Sequence, residues 1–156
     1  MKIEEKTAIR LIKLRKTLAI AESCSGGLLT NRLTDIPGSS QFLKVGIIAY
    51  SNEAKSKLLK VPPSLIQKYG AVSPETACAM AQGVRLSLQT DFGVSITGIA
   101  GPTGGTKTKP IGLTYMAVSS KKKQECLEFH FKGSRLQNKK LATTKALNLL
   151  LKYLDE

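Results

Sequence analysis

Apolar residues recur at helical spacing in several stretches of the chain. Near the amino terminus, the apolar residues between Ile3 and Leu14 are spaced this way among charges, which predicts an amphipathic helix ending near Lys16. Near the other end, a similar stripe follows Ser134, a favourable helix-capping residue. Proline, glycine and serine mark the ends of the remaining helical segments. The predicted helices cover residues 3–16, 26–33, 52–59, 62–69, 73–88 and 134–154.

Short apolar runs without helical spacing separate these helices. Three of them, at 18–21, 45–50 and 94–97, are typical of buried strands. Residues 113–119 and 126–131 flank a lysine-rich turn and predict an antiparallel hairpin. Strands that alternate with helices and end in a hairpin indicate an α/β fold, a three-layer α/β/α sandwich with a mixed, mostly parallel sheet of about five strands. We expect the 156 residues to form a single domain, 1–156.

The composition is that of an ordinary globular protein, with 42% hydrophobic and 22% charged residues. The first 17 residues carry several charges, so they lack the uninterrupted apolar segment of a signal peptide, and no stretch could span a bilayer. The three cysteines are widely scattered and form no CxxC pair, which argues against a disulfide framework and against a zinc site. These features predict a cytoplasmic protein without a bound metal.

The net charge of +13 is the strongest compositional deviation. A charge of this size is compatible with nucleic-acid binding. The basic residues are spread over several segments, however, and aromatic residues suited to base stacking are scarce, with no Trp, four Phe and four Tyr. The pattern therefore favours a basic overall composition with attraction for an anionic small substrate over a dedicated nucleic-acid surface.

A serine-rich turn, Ala21–Gly27, follows the first predicted strand. Serine is a favoured helix cap and glycine permits a tight strand-to-helix turn, so Ser23 and Ser25 have a purely structural interpretation. The same turn lies at the carboxyl end of a strand, where open α/β sheets bind ligands and where helix N–H groups can stabilise an oxyanion. The residues alone are consistent with both interpretations.

The single histidine is a poor candidate base for a serine nucleophile. His130 alternates with apolar residues on a predicted strand, far from the glycine-rich segments, and we expect it to face solvent. A Ser-His-Asp triad would depend on this position. Lysine is the remaining strong base, and that role requires its pKa to fall from about 10.4 through burial or a neighbouring cation. Lys55 lies one helical turn beyond the predicted strand that carries Tyr50, although a solvated helix residue is the commoner fate of a lysine.

A glycine-rich loop, Gly98–Gly105, directly follows another predicted strand. Its exposed backbone N–H groups could approach an anion closely. It is neither a Walker A loop nor a dinucleotide-binding fingerprint, because Lys-Pro and a strand follow it. An oxyanion or phosphate cradle and a purely structural bend fit these residues equally well.

Five ordered motifs resemble the CinA C-terminal domain family, and together they span essentially the whole chain. The resemblance implies a three-layer α/β/α fold, hydrolysis of the carboxamide of nicotinamide mononucleotide to nicotinate mononucleotide and ammonia, no metal or organic cofactor, and a homodimer or higher homo-oligomer. It assigns the nucleophile to Ser23, the lysine to Lys55 and an assisting tyrosine to Tyr50. The family usually has threonine where Ser25 stands; the hydroxyl is retained, so Ser25 is an alternative nucleophile, and Ser39 and Ser40 are further candidates. The motifs are residues 21–27, 35–40, 50–55, 70–73, and 98–102 together with 109–112.

The mechanism implied by the resemblance starts with a neutral Lys55, assisted by Tyr50, that takes the proton as Ser23 attacks the amide. Backbone N–H groups of the 25–27 turn or the 98–101 loop would hold the oxyanion. We expect Lys109 to orient the nucleotide phosphate. The full set of expected substrate-binding residues is Ser25, Gly26, Gly27, Ser40, Gly98, Gly101, Gly104, Gly105 and Lys109.

Two alternatives remain open at this point. One is a catalytically degenerate, competence- or damage-associated binding protein that acts through its positive charge; the presence of Ser23, Tyr50 and Lys55 argues against it. The other is an amidohydrolase with the same mechanism that acts on a different amide.

Overall fold

The computed structural model describes residues 1–156, as six α-helices, five β-strands and a short 3-10 turn at Ser39–Gln41. The element order agrees with the sequence-based prediction, and most bounds agree within two residues. The helices are α1 (Ile3–Leu14), α2 (Leu28–Thr34), α3 (Asn52–Leu59), α4 (Pro63–Tyr69), α5 (Pro74–Ser87) and α6 (Arg135–Asp155). The strands are β1 (Leu18–Glu22), β2 (Leu43–Ile48), β3 (Phe92–Gly98), β4 (Leu113–Ser120) and β5 (Gln124–His130).

The five strands form one mixed sheet in the order β2-β1-β3-β4-β5. β1 pairs in parallel with both β2 and β3, whereas β4 pairs antiparallel with β3 and β5. β4 is therefore the one strand that runs against the other four. The predicted α/β sandwich with a mixed five-stranded sheet is confirmed.

Apolar packing on both faces of the sheet explains why β1 is buried along its whole length. Ile20 and Ile96 face a core to which α1, α2 and α6 contribute, including Leu11 and Leu147. Ala19 and Ala21 face the opposite side, against a second core built from α3, α4 and α5. No helix of the protein has the length and apolarity needed to cross a membrane.

The parallel strands bring three loops to one edge of the sheet. β1, β2 and β3 point the same way, so the segments that follow Glu22, Ile48 and Gly98 meet at their carboxyl ends. β2 ends at Ile48, two residues earlier than the sequence predicts, and Ala49 and Tyr50 form the connection to α3. This shorter strand leaves two backbone carbonyl groups free for the contacts described below.

Candidate active site

Ser23 and Lys55 meet at the carboxyl edge of the sheet. Lys55 Nζ lies 3.0 Å from Ser23 Oγ, and the two residues are 2% and 7% exposed, respectively. The Ser23 backbone N–H donates to Ile96 O, which extends the pairing of β1 with β3 by one residue. Lys55 stands in the first half of α3, a helix capped by the Ser51 hydroxyl. The strand order therefore produces the contact that a lysine-activated serine requires.

The surroundings of Lys55 ease the loss of its proton. Its amine also lies 3.1 Å from Ala49 O and 3.5 Å from Tyr50 O, and it forms no salt bridge. Burial lowers the pKa of Lys55 below its ordinary value, because the charged form loses its hydration. A neutral amine has two hydrogens and one lone pair. The protonated amine can donate to all three oxygens, whereas after loss of one proton its two hydrogens can stay on Ala49 O and Tyr50 O and its lone pair can accept the Ser23 hydroxyl proton.

The turn that carries Ser23 is fixed by the buried carboxylate of Glu22. This side chain, 0% exposed, accepts from the backbone N–H groups of Leu29 and Thr30 at 2.9 Å and from the Thr30 hydroxyl at 2.7 Å. It thereby caps the first turn of α2, whose capping position, Gly27, has a left-handed φ of 98° and offers no side chain for the purpose. Sequence analysis did not identify Glu22, although its place before the serine turn was the available signal.

Backbone donors without protein acceptors lie next to the serine. The N–H groups of Cys24, Ser25 and Gly27 donate to no backbone or side-chain oxygen. They are the groups of this turn that can bind a developing oxyanion, provided that the reacting carbonyl is placed against Ser23.

The other two nucleophile-bearing residues of the turn are less suited to attack. The Ser25 hydroxyl is completely buried, has no hydrogen-bond partner and does not line the neighbouring cavity. Cys24 does line the cavity, but burial raises the pKa of its thiol to about 12, so it stays protonated at neutral pH. Ser23 is the residue of the three that combines access with a base.

A cavity of about 260 Å³ opens over Ser23 and Lys55. It lies between the serine turn, the start of α3, the segment before α5 and the glycine-rich loop. Arg135 contributes a guanidinium charge to its walls beside the amine of Lys55, and no Asp or Glu lines it. An uncompensated positive lining favours ligands that carry negative charge.

Arg135 forms one wall of this cavity and was missed by sequence analysis. It is the first residue of α6, and it donates to Gly101 O at 2.8 Å and to the Tyr50 hydroxyl at 3.0 Å. Tyr50 is 62% exposed, and its phenol makes no hydrogen bond to Ser23 or to the Lys55 amine. The structure thus places Tyr50 at the cavity but shows no direct proton path through its hydroxyl. The capping residue Ser134 indicated where α6 begins, but no sequence signal indicated that Arg135, at the start of this helix, lies beside Tyr50.

The glycine-rich loop has both a structural and a lining role. Gly98 and Gly104 line the cavity. A Cβ at Gly98 would lie 2.7 Å from Thr114 Oγ1 and 2.8 Å from Leu113 O, so this position has no space for a side chain. Asn138, buried on α6, donates to Ala100 O and holds the loop against that helix.

Comparison with known proteins identifies the family. The CinA C-terminal domain matches residues 1–154, almost the entire chain.

The chain belongs to the CinA C-terminal domain family.

A CinA-like protein of Syntrophus aciditrophicus is 48% identical over 150 residues, which are 96% of this chain and 36% of that relative. A CinA-like protein of Desulfotalea psychrophila is 48% identical over 144 residues, 92% of this chain and 35% of its own length. The chain thus spans about a third of the length of these curated relatives.

Two solved structures of the family share the whole fold. The competence/damage inducible protein CihA from Agrobacterium tumefaciens matches with a TM-score of 0.93 and 34% identity, covering 100% of this chain and 98% of that one. A competence-damaged protein (CinA) superfamily protein from Escherichia coli matches with a TM-score of 0.92 and 33% identity, covering 97% and 90%.

Several residues expected to bind substrate lie away from the cavity. Ser40 precedes β2 and is therefore at the opposite edge of the sheet. The Lys109 amine donates to Tyr69 O at 2.6 Å and does not line the cavity. Gly26 and Gly27 shape the serine turn without lining the cavity, and among the loop glycines the same is true of Gly101 and Gly105. The structure supports neither Ser40 nor Lys109 as a substrate contact.

The single histidine lies outside the site. His130 is exposed on β5 and contacts Glu128, as the alternation of apolar and polar residues predicts. No group of three or more His, Cys, Asp or Glu side chains is placed to hold a metal ion.

Proposed function

We propose that this protein hydrolyses the carboxamide of nicotinamide mononucleotide to nicotinate mononucleotide and ammonia, with Ser23 as nucleophile and Lys55 as base. The observation that carries the proposal is the 3.0 Å contact between a nearly inaccessible lysine amine and a serine hydroxyl at the wall of a cavity. Membership of the CinA C-terminal domain family supports the same assignment.

In the first half of the reaction, Lys55 accepts the hydroxyl proton as Ser23 Oγ attacks the amide carbon. The free N–H groups of Cys24 and Ser25, which directly follow Ser23 in the chain, are the candidate donors to the oxyanion that forms. The amide C–N bond then breaks, and Lys55 returns its proton to the departing nitrogen, which leaves as ammonia. Ser23 now carries the nicotinoyl group as an ester.

In the second half, a water molecule replaces ammonia. Lys55 takes a proton from the water as its oxygen attacks the ester carbon, and the C–O bond to Ser23 breaks. The proton passes from Lys55 to Ser23 Oγ, and the carboxylic acid that forms releases its proton to solvent and leaves as nicotinate mononucleotide. Two negatively charged groups on the product are compatible with the cationic lining of the cavity.

The charge of the site supports a nucleotide substrate over a neutral amide. Arg135 lines the cavity with no acidic residue beside it, and the whole chain carries a net charge of +13. A phosphorylated substrate benefits from both the local charge and the long-range attraction, whereas a neutral amide benefits from neither.

A substrate panel tests the proposal. Purified protein is incubated with nicotinamide mononucleotide, nicotinamide, NAD, asparagine and glutamine, and ammonia is quantified together with the carboxylate product. We expect turnover of nicotinamide mononucleotide with the highest kcat/KM of the panel. Turnover of a different amide with no preference for the mononucleotide would contradict the substrate assignment. Absent amide hydrolysis together with salt-dependent DNA binding would support the non-enzymatic alternative.

A further inference from the structure

A second cation of α6 lies beside the serine turn. Lys139 follows Arg135 by four residues, so the two side chains share one face of the helix, one turn apart. A Cβ added to Gly26 would lie 3.4 Å from Lys139 Nζ, which places the amine directly over the turn that carries Ser23. The Cys24 thiol lies within the electrostatic field of both Lys55 and Lys139. Lys139 is thus at the active edge of the sheet, one helical turn beyond the cavity wall.

This ammonium group has no partner in the protein. Lys139 forms no salt bridge, its amine donates no hydrogen bond, and its side chain is half-buried. Arg135, in contrast, is engaged with Gly101 and Tyr50. A cation that is partly desolvated and unpaired gains more from an incoming anion than one already surrounded by water or acceptors.

We infer that Lys139 binds a phosphate monoester group at the end of the substrate away from the amide, and that this contact makes the site selective for phosphorylated substrates. This inference rests on the proposed function, and it assigns the phosphate to the α6 side of the cavity rather than to Lys109. The absence of a side chain at Gly26 leaves the space next to the Lys139 amine open, so a phosphate oxygen can reach it.

The test compares two substrates in the wild type and in substituted proteins. kcat/KM is measured for nicotinamide mononucleotide and for nicotinamide riboside, which lacks the phosphate, in the wild type, Lys139→Met and Lys140→Gln. Lys140 is the matched control, because it is the next residue of α6, is exposed, and its substitution removes the same unit of charge. The ratio of the two kcat/KM values should fall roughly tenfold to a hundredfold in Lys139→Met, as expected for the loss of a charge-assisted phosphate contact.

The control variant should keep the wild-type ratio within about threefold, and Lys139→Arg should restore most of it. An equal loss for both substrates in Lys139→Met would show a structural role and overturn the inference. So would an unchanged ratio, or the same fall in Lys140→Gln.

A binding measurement separates this inference from the proposed function. Ribose 5-phosphate and ribose are titrated calorimetrically into the wild type and Lys139→Met. Tighter binding of the phosphate that is lost in Lys139→Met supports the inference even if no pyridine nucleotide is hydrolysed, an outcome that would end the proposed function alone. Equal binding of the two sugars by the wild type would overturn the inference even if nicotinamide mononucleotide is turned over.

Discussion

Replacement of Lys55 by methionine removes the base while keeping most of the side-chain volume. Lys55 is the only side chain that hydrogen-bonds to Ser23 Oγ, so no neighbouring group can take over its role. General-base catalysis contributes roughly a hundredfold to ten-thousandfold in rate. We therefore expect kcat/KM for nicotinamide mononucleotide to fall by at least about a hundredfold, or about 3 kcal/mol of transition-state stabilisation.

The same substitution has a pH-dependent effect on stability. Because burial lowers the pKa of Lys55 from its ordinary 10.5, the folded state holds this proton less tightly than the unfolded state. Below the folded-state pKa both states are protonated, and the cost of burying the charge is fully present. Between that pKa and 10.5 only the unfolded state stays protonated, so the free energy of unfolding rises by about 1.36 kcal/mol per pH unit. Lys55→Met lacks this contribution.

Denaturant unfolding of both proteins across pH 7 to 10 is the assay. We expect the wild type to gain stability relative to Lys55→Met as the pH rises, and its kcat/KM to rise over the range in which Lys55 loses its proton. Lys57→Met is the control, because Lys57 is exposed on the same helix and pairs with Glu53 at the surface. This substitution should change the free energy of unfolding by no more than about 0.5 kcal/mol, and the change should not grow with pH. The reasoning would be refuted if the difference in unfolding free energy between the wild type and Lys55→Met stayed constant with pH, or if the wild type lost stability relative to the variant as the pH rose.

Three further substitutions test the surrounding site. Ser25→Ala removes a buried hydroxyl without a partner, so denaturant unfolding should show equal stability or a gain of about 1 kcal/mol, with turnover within threefold; lost turnover would instead implicate Ser25 as nucleophile. Arg135→Gln removes the charged donor to Tyr50, and steady-state kinetics should show KM raised about threefold to tenfold. An unchanged KM would contradict a role of Arg135 in binding substrate at the cavity wall. Lys109→Met breaks only the hydrogen bond to Tyr69 O, so the ratio of kcat/KM for the mononucleotide to that for the riboside should stay within threefold of the wild type. A tenfold fall in this ratio would indicate that Lys109 binds the phosphate.

The layers of the fold could be predicted because burial leaves a local signature. Four consecutive apolar residues at 18–21 indicate a strand covered on both faces, and the structure buries β1 completely. The end of β2 was predicted two residues too late, because Ala49 and Tyr50 are as compatible with a strand as the residues before them. Their conformation is decided by the connection to α3, which is not a local property.

The candidate site was only partly predictable, because its contacts join distant segments. The residues alone indicated that a serine would need a lysine, and the resemblance to the CinA family assigned Ser23 and Lys55. Their contact joins residues 32 positions apart and depends on β1 and β2 being neighbours. Arg135 is 85 positions from Tyr50, so no spacing rule could have found it. Ser40 precedes β2 and lies at the amino edge of the sheet, away from the cavity, so its assignment to substrate binding stays a prediction.

The most direct test of the central claim is the release of ammonia from nicotinamide mononucleotide by the wild type and by Ser23→Ala at equal concentration. We predict that the wild type forms ammonia and nicotinate mononucleotide in equal amounts, and that Ser23→Ala stays at the background rate while unfolding with wild-type cooperativity. Wild-type turnover by Ser23→Ala would contradict the account, and so would a wild-type protein that releases no ammonia.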